Sequence, residues 1–197
     1  MNITNLYMVR HAESPFVFGE ERTRGLSEDG LRAAIKVADV LEREDIDLIA
    51  SSGYERSKQT VLCLAERKNL PILEYEELRE RPIKGLHYKA PWEELVVAIE
   101  KSFKDLDYAL DGGESTRYAQ ERAIPVIKGL LDTHKGKNIV IGTHGNIMTI
   151  IMNYFDPQYG FEFWKRATLP DIYKLSFLKG QLLNVERLWE SSDTGKH

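Results

Sequence analysis

The chain is predicted to fold as an α/β protein, a three-layer α/β/α sandwich around a mainly parallel central sheet. Three observations predict it. Short apolar runs of strand length alternate with longer segments of helical periodicity. The first four apolar runs each end in a polar stretch, as strands do when they lead into loops at one edge of a sheet. No internal repeat or low-complexity linker divides the 197 residues, a length ample for one domain and marginal for two.

The elements follow in order. Leu6 to Val9 is short and apolar between polar flanks, which suits a buried strand. Ser27 can cap a helix running to about Arg43, with Leu31, Ala34, Ile35, Ala38 and Leu41 on one face. "DLIASS" is a second strand, Tyr54 to Lys68 a helix and "LPILEYE" a third strand. Pro91 opens a helix with Trp92, Leu95, Val96, Ile99 and Phe103 on one face. "DGGES" is a break. Ser115 to His134 is helical, and Pro125 inside it predicts a kink or a late start. "KGKNIVIGTH" is a turn and a fourth strand, and "NIMTIIMNYF" a helix buried on most sides. "DIYKLSFLKGQLLNVERLW" alternates around Lys179-Gly180 as a β-hairpin does. The expected organisation is one domain over 1–197, with 80–113 an insertion that covers a site and a frayed tail, "SSDTGKH".

Composition narrows the function. Apolar residues make up 42% and charged residues 29%, an ordinary globular balance. The formal net charge of -4 gives no field that attracts nucleic acid, so any anion site must be a local cation cluster. The single cysteine, Cys63, excludes an internal disulfide and any Cys-rich metal site; its apolar surroundings predict a small buried side chain. A chain with one cysteine and no disulfide fits a reducing cytoplasm best; no signal peptide and no membrane-length apolar run is read.

Four polar stretches follow the four strands: "RHAE", "SSGYERSKQT", "ELRER" and "GTHGN". They bring Arg10, His11, Arg56, Glu80, Arg81, His144 and Asn146 to one sheet edge. Taken singly, each stretch is an ordinary solvated loop, turn or charged surface segment. Together they meet the needs of phosphoryl transfer. Arg10 and Arg56 offer guanidinium forks that match phosphate, and His144 adds a donor ahead of a helix N-terminus. A neutral His11 can attack phosphorus, its other ring nitrogen donating to a backbone carbonyl. Glu80 can protonate the leaving alkoxide and then activate water. Arg81 and Asn146 are candidate substrate contacts. Other chemistries fall away: His11-Ala12-Glu13 has the H-x-E form of zinc deaminases but lacks C-x-x-C, and no metalloprotease, nucleophile-elbow or P-loop pattern occurs. No carboxylate cluster suggests a magnesium site.

The four stretches in this order resemble the histidine phosphatase superfamily, the phosphoglycerate mutase-like fold. "VRHAES" is similar to that family's Arg-His-Gly signature, with Ala12 where glycine is usual. The resemblance implies a phosphorylated histidine at His11, phosphate-binding Arg10, Arg56 and His144, and a proton donor at Glu80. It implies phosphoryl transfer without cofactor or metal. "LSEDG" and "DGGES" also match family positions at helix starts. The expected activity is a phosphomonoesterase acting on a small phosphorylated substrate, with a phosphoprotein a further candidate. The alternatives are a mutase of the phosphoglycerate type and a domain that binds phosphorylated ligands without turnover. The short stretch after Ile83, mixed in charge, favours hydrolysis over a mutase.

Overall fold

The computed structural model describes residues 2–85 and 89–190. His87, Tyr88 and the tail expected to fray lie outside the described residues. Strands β1 (Thr4–Arg10), β2 (Leu48–Ser51), β3 (Ile72–Glu74), β4 (Asn138–Thr143), β5 (Asp171–Leu178) and β6 (Gln181–Arg187) form one sheet in the order β3-β2-β4-β1-β5-β6. The first four pair in parallel, while β5 runs antiparallel to β1 and forms a hairpin with β6. Helices α1 (Glu28–Leu41), α2 (Glu55–Lys68), α3 (Trp92–Lys104), α4 (Thr116–Thr133), α5 (Gly145–Phe155) and α6 (Phe161–Arg166) complete the fold.

The two-residue period of the strands separates two cores. Leu6 and Met8 of β1, with Ile139 and Ile141 of β4, pack against Ala123, Ile127, Ile147 and Ile151 of α4 and α5. Tyr7, Val9 and Val140 face the other way, against Val37, Leu41, Val61 and Leu64 of α1 and α2. The predicted three layers are therefore present. A central strand covered on both faces must be apolar on both, which is why "LYMV" shows no alternation.

Several expectations need correction. In α1, Ala34, Ala38 and Leu41 are buried as expected, but Leu31 and Ile35 are 48% and 49% exposed and Gly30 and Val37 face inward instead. The cause is a close approach: a Cβ on Gly30 would stand 2.3 Å from the Glu13 carbonyl oxygen, so the helix turns its glycine towards the β1–α1 loop. Trp92 is 60% exposed, and the inner side of α3 is Ala98, Ile99 and Ser102. Helix α4 begins at Thr116, capped by the Ser115 hydroxyl accepting from Tyr118 N–H (3.1 Å), so Pro125 does not delay its start. Pro125 and Glu121, whose carbonyl lies one turn earlier, are both exposed, so that carbonyl can turn to water. Cys63 is only partly buried at the edge of the second core. Helix α6 and a 3-10 turn at Glu76–Leu78 are present though neither was read from the sequence.

Candidate active site

The carboxyl ends of β1 and β4 lie side by side, with Arg10 in register with Thr143. His11 N–H donates to the Thr143 carbonyl (3.0 Å), so the two polar stretches that follow these strands start from a shared hydrogen bond. The imidazoles of His11 and His144 meet edge to face, with centroids 5.3 Å apart. Ala12 is fully buried, and its N–H donates to Thr60 Oγ1 (3.0 Å). The positive-φ non-glycine positions among the described residues are Asn69 and Lys179, so the turn at Ala12 does not require glycine.

His11 Nδ1 lies 2.7 Å from the Ala12 carbonyl oxygen and must carry the proton there. Nε2 is then an unprotonated acceptor, facing the Arg56 Nε–H at 3.3 Å. Burial is the largest cause that holds His11 well below the usual histidine range, followed by the Arg56 charge. His144 is held down in the same direction, first by burial and then by His11 and Arg56. Ser52 Oγ lies 2.7 Å from His144 Nε2 and accepts from the Tyr54 N–H (3.3 Å). A hydroxyl that accepts one N–H still offers both a proton and a lone pair, so this contact suits either tautomer of His144. His144 Nδ1 is buried without a protein partner.

Arg56, in the first turn of α2, is 1% exposed. Its Nη1 donates to the Glu21 carbonyl oxygen and its Nη2 to Glu21 Oε1, both at 2.5 Å, and its guanidinium lies 5.0 Å from the Tyr54 ring centre. Arg10 Nη1 donates to the carbonyls of Ala167 (2.9 Å) and Thr168 (3.4 Å), and Arg10 Nε is buried without a partner. A Cβ on Gly145 would stand 2.9 Å from Arg10 Cζ, Nε and Nη2, so the guanidinium lies against a helix start that has no side chain. Asp171 fixes the carbonyl-bearing segment: its carboxylate accepts from Thr168 N–H, Tyr173 O–H and Arg187 Nε–H, all at 2.9 Å. Two buried nitrogens, the donor Arg10 Nε and the ring atom His144 Nδ1, thus lack protein partners beside a histidine with a free ring nitrogen. An anion with several oxygens fits such a cluster.

Glu80 is held by backbone amides at the start of α5. Its Oε1 accepts from Arg81 N–H and Ile147 N–H (both 2.9 Å) and its Oε2 from Asn146 N–H (3.1 Å). The first-turn amides of α5, expected to meet substrate phosphate, are therefore partly occupied by an internal carboxylate. Oε2 keeps a lone pair for a proton. Arg81 donates to Thr116 Oγ1 (2.9 Å) and Asn146 Oδ1 (2.8 Å), joining the starts of α4 and α5. Gly113 explains part of "DGGES": a Cβ there would stand 2.2 Å from the Ile83 carbonyl oxygen, so glycine lets this turn press on the segment after Glu80. Ser52, Glu21 and Asp171 were not read as site residues. Ser52 lies inside a quoted motif, Asp171 is an acid opening an apolar strand, and Glu21 sits in a loop with no periodic signal. Among the described residues, no group of three or more His, Cys, Asp or Glu side chains is placed to hold a metal ion, and no helix is long and apolar enough to cross a membrane.

A mixed sheet whose central strand ends gather two histidines and two arginines defines an α/β protein of the phosphoglycerate mutase-like class. The model of the histidine phosphatase superfamily (branch 1) matches residues 6–181, and the chain belongs to that family. It is 30% identical to a metal-independent phosphoserine phosphatase of Arabidopsis thaliana, over 76% of this chain and 67% of that one. It is 29% identical to phosphoglycerate mutase-like protein 4 of the same plant, over 96% and 82%. The solved structure of a mycobacterial glucosyl-3-phosphoglycerate phosphatase with inorganic phosphate shares its fold, with a TM-score of 0.74 and 22% identity over 93% of this chain and 94% of that one.

Proposed function

We propose that the protein is a metal-independent phosphomonoesterase that hydrolyses a small phosphate ester through a phosphohistidine on His11. The observation that carries this is the state of His11: Nδ1–H is committed to the Ala12 carbonyl, and Nε2 is left unprotonated beside Arg56. Partnerless Arg10 Nε and His144 Nδ1 support the assignment of both residues to the phosphate oxygens. The relatives that are phosphatases support hydrolysis.

In the first step Nε2 attacks phosphorus in line with the ester oxygen. The N–P bond forms as the P–O bond breaks, and a proton held on Glu80 Oε2 passes to the leaving oxygen. Arg10, Arg56 and His144 stabilise the charge on the three equatorial oxygens. In the second step water attacks phosphorus, Glu80 takes its proton, and Nε2 departs with the electron pair of the N–P bond. Arg81 and Asn146 hold Glu80 through their backbone N–H groups, and the site belongs to a single domain. The substrate is a small phosphorylated molecule rather than a nucleic acid, and the single cysteine supports a cytoplasmic setting.

Turnover of an aryl phosphate tests this. Activity is expected to persist in chelator and to vanish in His11→Ala, with a phosphoryl label trapped on His11 of the unaltered protein. Absence of both turnover and label overturns the phosphatase; isomerisation that depends on a bisphosphorylated primer selects a mutase instead.

A further inference from the structure

We infer that Glu21 is the positioning residue that aims Arg56 at the phosphoryl group; this rests on the proposed phosphatase reading. A guanidinium presents two pairs of parallel N–H groups, one end-on through Nη1 and Nη2 and one side-on through Nε and Nη2. In Arg56 the end-on pair is taken by a single residue, with Nη1 on the Glu21 carbonyl oxygen and Nη2 on Glu21 Oε1 at 2.5 Å each. The Nε–H of the side-on pair faces His11 Nε2 at 3.3 Å. The Tyr54 ring, 5.0 Å from Arg56 Cζ, limits rotation out of this plane. A phosphoryl group on Nε2 therefore meets the side-on pair, while Glu21 keeps the end-on pair from competing for it.

Glu21 is itself held. Its other oxygen, Oε2, accepts from Arg24 Nε (3.4 Å), and Arg24 Nη1 donates to the carbonyl (2.9 Å) and hydroxyl (2.8 Å) oxygens of Ser14. Ser14 Oγ closes the loop on the Gly25 carbonyl (2.7 Å). The 14–25 loop is thus tied at both ends to the group that orients Arg56. Glu21 does not touch His11, so it acts through Arg56 and not as a catalytic residue.

A purely charge-balancing Glu21 and an orienting one predict different outcomes. Glu21→Gln removes the charge but keeps an oxygen at the same reach, whereas Glu21→Ala removes both. If Glu21 orients Arg56, the alanine variant loses roughly 10-fold or more in kcat for an aryl phosphate, the range of one charge-assisted hydrogen bond. The glutamine variant stays within about 3-fold of the unaltered protein, since a neutral acceptor retains part of that bond. In an Arg56→Lys background, which lacks the fork, Glu21→Ala adds little further loss. Equal losses in alanine and glutamine variants, or none in either, overturn the inference. If Glu21→Ala does not fold, Glu21→Asp replaces it: the charge is kept one methylene short, a loss in kcat is expected, and full activity overturns the inference. Calorimetric binding of inorganic phosphate separates this from the phosphatase reading. Binding weakened in alanine and kept in glutamine supports an orienting Glu21 even without turnover, and equal binding in all three proteins refutes it.

Discussion

His11 is kept neutral by two causes of unequal weight: burial first, and the neighbouring guanidinium charges after it. His144, fully buried, is kept neutral mainly by burial too. The sign for stability follows from linkage. Unfolded histidines bind protons below about pH 6.5, whereas these two do so only well below that. Between those limits the unfolded chain holds more protons, so stability falls as pH falls. The slope per histidine approaches a limit of about 1.4 kcal/mol per pH unit where the unfolded group is fully protonated and the folded one is not. Urea midpoints are expected to drop between pH 7.5 and 5, and the double variant His11→Asn/His144→Asn is expected to flatten that drop. Glu80 poses a separate test. Glu80→Gln should slow esters of poor leaving groups much more than aryl phosphates, because the latter need little protonation. Equal slowing, measured in single turnovers that resolve phosphorylation, removes Glu80 from the role of acid.

The elements turn these residues into a site through contacts that local sequence does not display. Helix α5 illustrates this. Its apolar run was legible, and so was the His-Gly step that opens it. What the glycine is for emerges only when β1 lies next to β4 and Arg10 rests against it. Gly145→Ala is therefore expected to lower kcat/KM at least 10-fold by displacing Arg10 from the phosphate. Its melting temperature should move by only a few degrees, since the atoms the added methyl meets are the far end of one side chain and not backbone. Loss of stability with unchanged kcat/KM in the folded fraction would refute this account. The outward turn of Leu31 and Ile35 in α1 has a related reason. The rotation of that helix is set by the approach of the Glu13 backbone to Gly30, which helical periodicity does not encode. Helix α6, with Phe163 and Trp164 as its buried residues, is too short for periodicity to mark.

Across the whole molecule, the parallel sheet and its layers were legible because βαβ units alternate two periods that differ clearly in the pattern of apolar residues. The candidate site was legible as residue types at four strand ends. Less legible was its wiring: Glu21 on Arg56, Ser52 on His144 and Asp171 behind the carbonyls that hold Arg10. These partners lie from 3 to 92 positions apart and carry no local periodicity. The strand order has one more result, which concerns how much of the chain the site needs. Strand β1 sits between β4 and β5, so Asn5 must find Asn138, and Thr4 must find Phe177. Such distant pairings form late and carry a large loop-closure cost. Every side chain assigned to the chemistry has been made by residue 144, yet the carbonyls and strand that aim Arg10 come from residues 167 to 178. A chain that ends before residue 167 keeps every side chain assigned to the chemistry but lacks these carbonyls, and is expected to show no turnover of an aryl phosphate.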